Sequence, residues 1–196
     1  MNKIAIVEDR LKNAVLIARQ LQDWLIRENL DNVIELKKVL LFSVSEEAFR
    51  TELEKFVTEV EELDLDVERT HLWDFDDKLD EFMDDVEKKN FLLIDFLLSE
   101  DGSEGVPQYR VNIRYARRQN GERKKRLFFY TLSGLENFNL LCQLVGEEQV
   151  LPSKYENGEP PCLDLQNIDN FRDAIQEVIY EIILLYVNRY NEIYFR

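Results

Sequence analysis

The chain has few of the residues that punctuate or staple a fold. Its 196 residues include only 6 Gly, 4 Pro, 2 Cys and 1 His. So little Gly and Pro excludes a collagenous or low-complexity chain. With 45% hydrophobic and 33% charged residues, the composition is that of a well-packed, helix-containing protein. Two cysteines, Cys142 and Cys162, are expected to be reduced thiols. His71 has no identifiable partners for a His-containing triad and is expected on a strand face. A nucleophile elbow, a P-loop and zinc-ligand spacing are all missing. No apolar run approaches the roughly 18 residues of a membrane-spanning helix. The chain enters an apolar strand at Lys3 without a cleavable leader, so the expected location is the cytoplasm and no membrane partner is expected. Positive charge is the last scarcity: 25 Lys and Arg stand against 40 Asp and Glu, a net charge of −15. That balance makes nucleic acid an unexpected partner, leaves room for a local basic patch, and favours cationic or metal partners.

What is present is an alternation of apolar runs. KIAIV (3–7) is β-branched and ends at Glu8-Asp9, as a buried strand does on leaving the core. Residues 10–28 carry apolar positions at helical spacing. The segment 33–44 reads as a strand, and 45–63 as a helix with Ser45 as N-cap and Phe49, Leu53, Phe56 and Val60 on one face. A strand at 66–73 precedes a helix at 75–89 with Leu79, Phe82, Met83 and Val86 as its stripe. FLLID (91–95) is apolar on both faces, as a central parallel strand should be. After a loop at 99–107 come an Arg-rich helix (108–120), a turn (120–125), a strand (126–131) and a helix (133–145). A short strand at 149–154 breaks at Pro152, and 167–194 is a long amphipathic helix. Strands alternating with helices imply an α/β fold, a parallel sheet with helices on both faces. No linker divides the chain, so 1–196 is expected to be one domain.

The run FLLIDFLL places Asp95 among apolar residues, where an unpartnered carboxylate would be costly. Functional groups in a doubly wound sheet gather at the carboxyl ends of the strands. Those ends deliver Glu8 and Asp9, Asp95, Thr131 and Lys154. Each also has a plainer reading: a solvated strand end with Asp9 capping the next helix, a surface Asp, a β-forming Thr, a loop Lys.

IAIVEDR (4–10), LLIDFLL (92–98), FFYTLSG (128–134) and VLPSK (150–154) together resemble the receiver domain of two-component response regulators. DVERTHLWDFDDKLDEFMDD (66–85) resembles that family's second strand and helix. The resemblance implies a flavodoxin-like doubly wound parallel sheet of strand order 2-1-3-4-5. It implies Mg²⁺ held by Glu8, Asp9, Asp95 and the backbone carbonyl of Leu97, with Asp95 as phosphoacceptor and Thr131 and Lys154 serving the phosphoryl group. Physical chemistry runs parallel to this. Three clustered carboxylates raise one another's pKa, and a hard divalent cation relieves them. The implied partners are a histidine kinase or phosphotransfer protein and a downstream protein. With no output domain following, the expectation is a stand-alone signalling protein, not an enzyme acting on a metabolite.

Four positions depart from the family. Ser99 stands where a Pro is usual, Leu132 where a small residue is usual, Tyr155 where a Pro follows the lysine, and Leu151 where a switching aromatic is frequent. Leu132, Tyr155 and the missing Pro favour an alternative, a receiver-derived interaction module that works without phosphorylation. A Mg²⁺-dependent phosphohydrolase is a third reading, but Leu97 sits where its second carboxylate would be. Residues of about 31–64 read as an inserted strand–helix unit. Its strand is expected to extend the sheet beyond 66–73; the competing register puts 33–44 beside the first strand instead. Residues 110–126 hold eight Arg or Lys and one acid, Glu122. They read either as a solvated face or as a dock for the acidic stretch 61–88. The terminal helix carries Tyr186, Tyr190, Tyr194 and Phe195, for packing on the sheet or for a partner such as a second copy.

Overall fold

The structure, a computed structural model, describes residues 1–84, 88–99, 109–155 and 159–194. In chain order the elements are β1 (Asn2–Glu8), α1 (Leu11–Arg27), β2 (Ile34–Phe42), α2 (Glu46–Lys55), α3 (Val57–Glu62), β3 (Asp66–Thr70), α4 (Phe75–Met83) and β4 (Phe91–Asp95). They continue with α5 (Tyr109–Arg118), α6 (Gly121–Lys124), β5 (Leu127–Tyr130), α7 (Leu135–Val145), β6 (Ser153–Lys154), β7 (Cys162–Leu163) and α8 (Asp169–Tyr194). The five long strands form one parallel sheet in the order β3-β2-β1-β4-β5. This is the flavodoxin-like α/β architecture, with helices on both faces.

Strand alternation divides the core in two. Ile4, Ile6, Phe91, Leu93, Phe128 and Tyr130 face α1 and α8. Ala5, Val7, Leu92, Ile94, Leu127 and Phe129 face α4, α5 and α7. Both faces are covered, which is why β1 and β4 are uninterrupted apolar runs. Phe171 of α8 ties one layer together, its ring lying 5.8 Å from Trp24, 6.0 Å from Phe91 and 5.0 Å from Phe128.

The placement of the added strand differs from the favoured expectation. β2, not β3, lies beside β1, and β3 is the outer edge. The reason lies in the two sequences. β2 buries apolar residues toward both layers, Leu36, Val39 and Leu41 on one side and Leu40 and Phe42 on the other. β3 reads DVERT, and only Thr70 is buried, a composition that suits an edge. Lys38 joins it through ion pairs of 2.7 Å to both Asp66 and Glu68. A register shift between Ile4 and Ala5 passes over Lys37, so the consecutive lysines do not force a charge inward.

Other elements differ in detail: β3 ends at Thr70, so His71 lies beyond the strand, and a short helix, α6, stands where a turn was expected over 120–125. The helix expected over 45–63 breaks at Phe56 into α2 and α3, although Phe49, Leu53, Phe56 and Val60 do pack against the core. Ser45 caps α2 by accepting from the Ala48 N–H at 3.1 Å. The strand expected over 149–154 contributes a single parallel bridge, Val150 to Phe129. Beyond Pro152 the chain turns away, and β6 pairs antiparallel with β7. The bridge falls where the last strand of a 2-1-3-4-5 order belongs.

The Arg-rich segment docks on α4. Arg114 and Arg118 reach Asp76 at 3.9 and 2.7 Å, and Arg123 reaches Asp80 at 3.1 Å and pairs with Asp84. Cys142 and Cys162 are both free thiols. Among the described residues no helix is long and apolar enough to cross a membrane. Val86, most of the 99–107 loop, part of the 156–161 loop and Phe195 lie outside the described residues, as does the side chain of Tyr194.

Candidate functional site

Parity along the strands builds the site. Val7 pairs with Ile94, which sets Glu8 beside Asp95, and Asp95 pairs with Tyr130. Glu8, Asp95 and Tyr130 thus form a row across three adjacent strands at their carboxyl ends, each strand about 4.8 Å from the next. Asp9 follows where β1 leaves the sheet. Ligand atoms of Glu8, Asp9 and Asp95 all lie within 4.8 Å of one another, close enough to hold a metal ion.

The cluster is withdrawn from solvent. Glu8 is 0% and Asp95 6% exposed. Glu8 Oε1 accepts from the N–H groups of Asp9 and Arg10 at 3.0 and 3.2 Å. Its Oε2 accepts from the Tyr130 hydroxyl at 2.7 Å. Burial, then the negative charge of Asp95, pushes the Glu8 carboxyl well above its usual range; the Tyr130 bond opposes this. Asp95 is pushed up to about 8 by burial and by Asp9, against the Leu97 and Phe96 N–H groups and Arg10. The Leu97 N–H donates to Asp95 Oδ2 at 3.2 Å. Folding therefore holds Glu8 and Asp95 where a proton or a cation is favoured, with Asp9 beside them. Hard oxygen donors in a buried, mutually repelling group fit a divalent metal.

Three residues that hold this edge escaped sequence reading. Tyr130 was legible through parity, being two residues from the core-facing Phe128 in a strand next to β4. Ser99 grips Asp9 Oδ2 through its N–H at 2.8 Å and its hydroxyl at 2.6 Å. A Pro at that position could donate neither bond. Asn112, fully buried on α5, donates to the carbonyls of Asp95 and Phe96 at 2.6 and 3.1 Å. It closes the end of β4, and nothing local in VNIRY announces that role.

The remaining expected residues are Thr131 and Lys154. Thr131 directly follows Tyr130 and is fully buried. Its hydroxyl accepts from the Ser133 N–H at 3.2 Å, and its carbonyl accepts from the Ser153 and Tyr155 hydroxyls, both at 2.8 Å. Lys154 pairs with Asp164 at 3.2 Å. A second acidic group, Glu122, Glu177 and Glu181, has equally close ligand atoms. Lys125 already neutralises its first two members and Lys89 its third.

No protein family, curated protein or solved structure matches this chain.

Proposed function

We propose that this chain is a phosphorylatable receiver-type signalling module that binds Mg²⁺ through Glu8, Asp9 and Asp95. The observation that carries the reading is the row of buried carboxylates at the carboxyl ends of β1 and β4, within one metal's reach of each other. The backbone carbonyl of Leu97 would complete the ligand set. Mg²⁺ would supply neutralisation of charge on the transferring phosphoryl oxygens.

The chain's own residues account for the rest. A carboxylate oxygen of Asp95 forms the new bond to phosphorus while the donor's bond to phosphorus breaks, leaving a mixed anhydride. The Leu97 N–H fixes the carboxylate's orientation. Asn112 holds the backbone beneath it. Thr131 lies one residue beyond the strand partner of Asp95, where its hydroxyl, now the acceptor of the Ser133 N–H, would turn to donate its proton to a phosphoryl oxygen. Lys154 would leave Asp164 for the new anion. Since Ser153 and Tyr155 both bond to the Thr131 carbonyl, such a move would shift the 153–155 segment and change the outer surface. A histidine kinase or phosphotransfer protein would supply the phosphoryl group, and a protein partner would read the surface.

Incubation with Mg²⁺ and a small phosphodonor should add the mass of one phosphoryl group, lost in Asp95→Asn and on chelation. Failure to gain that mass at millimolar Mg²⁺ would sink the phosphorylation reading.

A phosphorylation-independent module is the second reading. It is favoured by the Lys154–Asp164 pair and by the two Ser99 bonds on Asp9 Oδ2, which hold both groups without any ligand. In that case Asp95→Asn would leave partner binding unchanged.

A further inference from the structure

α8 has two unlike halves. Phe171, Ile175 and Val178 are buried against the sheet, with Ala174, Ile179 and Ile182 packed beside them. From 183 to 193 every residue is exposed. Yet this half is not polar. Tyr180, Ile183, Val187 and Tyr190 recur at intervals of three, four and three, the spacing of a coiled-coil seam. Leu184 and Tyr186 flank it. These six side chains leave between 42% and 71% of their area exposed.

The seam is also a palindrome. Tyr180 and Tyr190 are equidistant from residue 185, as are Ile183 and Val187. Two antiparallel copies related by a two-fold axis at Leu185 would set Tyr180 against Tyr190 and Ile183 against Val187, layers of matched volume. Isologous self-complementarity of this kind is what a two-fold dimer requires. The six side chains offer roughly 600 Å² per copy, about 1,200 Å² for the pair, the lower end of specific interfaces. Charge selects the orientation. Each chain carries a net −15, so a parallel pair would bring two acidic bodies together at the docked ends of the helices. An antiparallel pair instead sets residue 179 of each copy about 18 Å from its twin along the axis.

We propose that the projecting half of α8 joins two copies of this chain in an antiparallel helix pair centred on Leu185. The pairing is independent of the acidic row, so Asp95→Asn should leave it intact.

The test uses the full chain in sedimentation equilibrium. A monomer–dimer equilibrium is expected that tightens with added NaCl as like charges are screened. Val187→Glu should weaken it at least tenfold without changing the melting temperature at concentrations where the chain is monomeric, and Ile183→Asp should do the same. Orientation is read from disulfides after Cys142 and Cys162 are replaced by Ser. A mixture of Ile183→Cys and Val187→Cys chains should cross-link, and neither chain should do so alone. A chain monomeric at about 0.2 mM, a dimer unaffected by both charge variants, or cross-linking of either variant alone would each overturn the proposal. So would a monomer that co-sediments with phosphatidylcholine vesicles through this face, which would assign it to a lipid surface.

Discussion

At the residue scale the buried carboxylates set the chemistry, and their energetics have a sign that can be measured. Folded Asp95 holds its proton up to about pH 8, whereas in the unfolded chain an Asp releases it near 3.9. Between those values the folded state binds more protons, so stability falls as pH rises. Glu8, also shifted upward, adds to the same slope. A divalent cation favours the ionised forms and opposes the loss. If the acidic row binds Mg²⁺ as proposed, thermal unfolding should show little Mg²⁺ stabilisation at pH 5 and a clear gain at pH 8, with protons released on binding. Asp95→Asn removes one of the titrating groups. It should raise stability at pH 8 without Mg²⁺ by about 1–3 kcal/mol and shrink the Mg²⁺ gain. Tyr130→Phe deprives buried Glu8 Oε2 of its donor. Urea unfolding should report a cost of about 1–3 kcal/mol, and the Glu8 carboxyl should hold its proton to a still higher pH.

At the element scale, the ends of β4 and α8 depend on single side chains. Asn112→Ala removes the donor from the Asp95 and Phe96 carbonyls. In a buried setting this should cost about 1–3 kcal/mol by denaturant titration, and amide exchange should rise first around 95–97. Phe171→Ala opens a cavity among Trp24, Phe91 and Phe128 and should cost about 3–5 kcal/mol. The arginine contacts on α4 differ in kind. They are partly solvated, so Arg118→Ala should change stability by less than about 1 kcal/mol. Element types were largely legible from period and capping, because β1, β4, α1 and α4 bury whole faces. Which strand neighbours β1 was settled by burial: β2, with apolar residues toward both layers, lies inside, and DVERT lies at the edge. Likeness of 66–85 to a family segment pointed to the other order, and burial prevailed over it.

At the scale of the whole molecule, charge dominates. A net −15 repels itself within the compact state, and salt screens that repulsion. The melting temperature should rise with NaCl at fixed pH. Mg²⁺ at matched ionic strength should raise it further only if the acidic row binds the ion, and Asp95→Asn should bring the two salts closer together. The same charge bears on partners: it attracts cationic ligands, and it opposes association with another copy least where charge is sparse, as along the end of α8.

The sequence by itself determined the alternating α/β architecture, the apolar central strands and the candidate carboxylates. Each of these follows from local pattern, a period of two or 3.6 with charge at strand ends. Only the tertiary structure decided which strands are neighbours, and with them whether Glu8, Asp9 and Asp95 share one space. It also supplied Tyr130, Ser99 and Asn112 as their partners. Contacts of Asp95 with Glu8 and Tyr130 span tens of residues along the chain and a single strand spacing across the sheet. That proximity comes from register between strands, which depends on burial of both faces together and is written in no one segment.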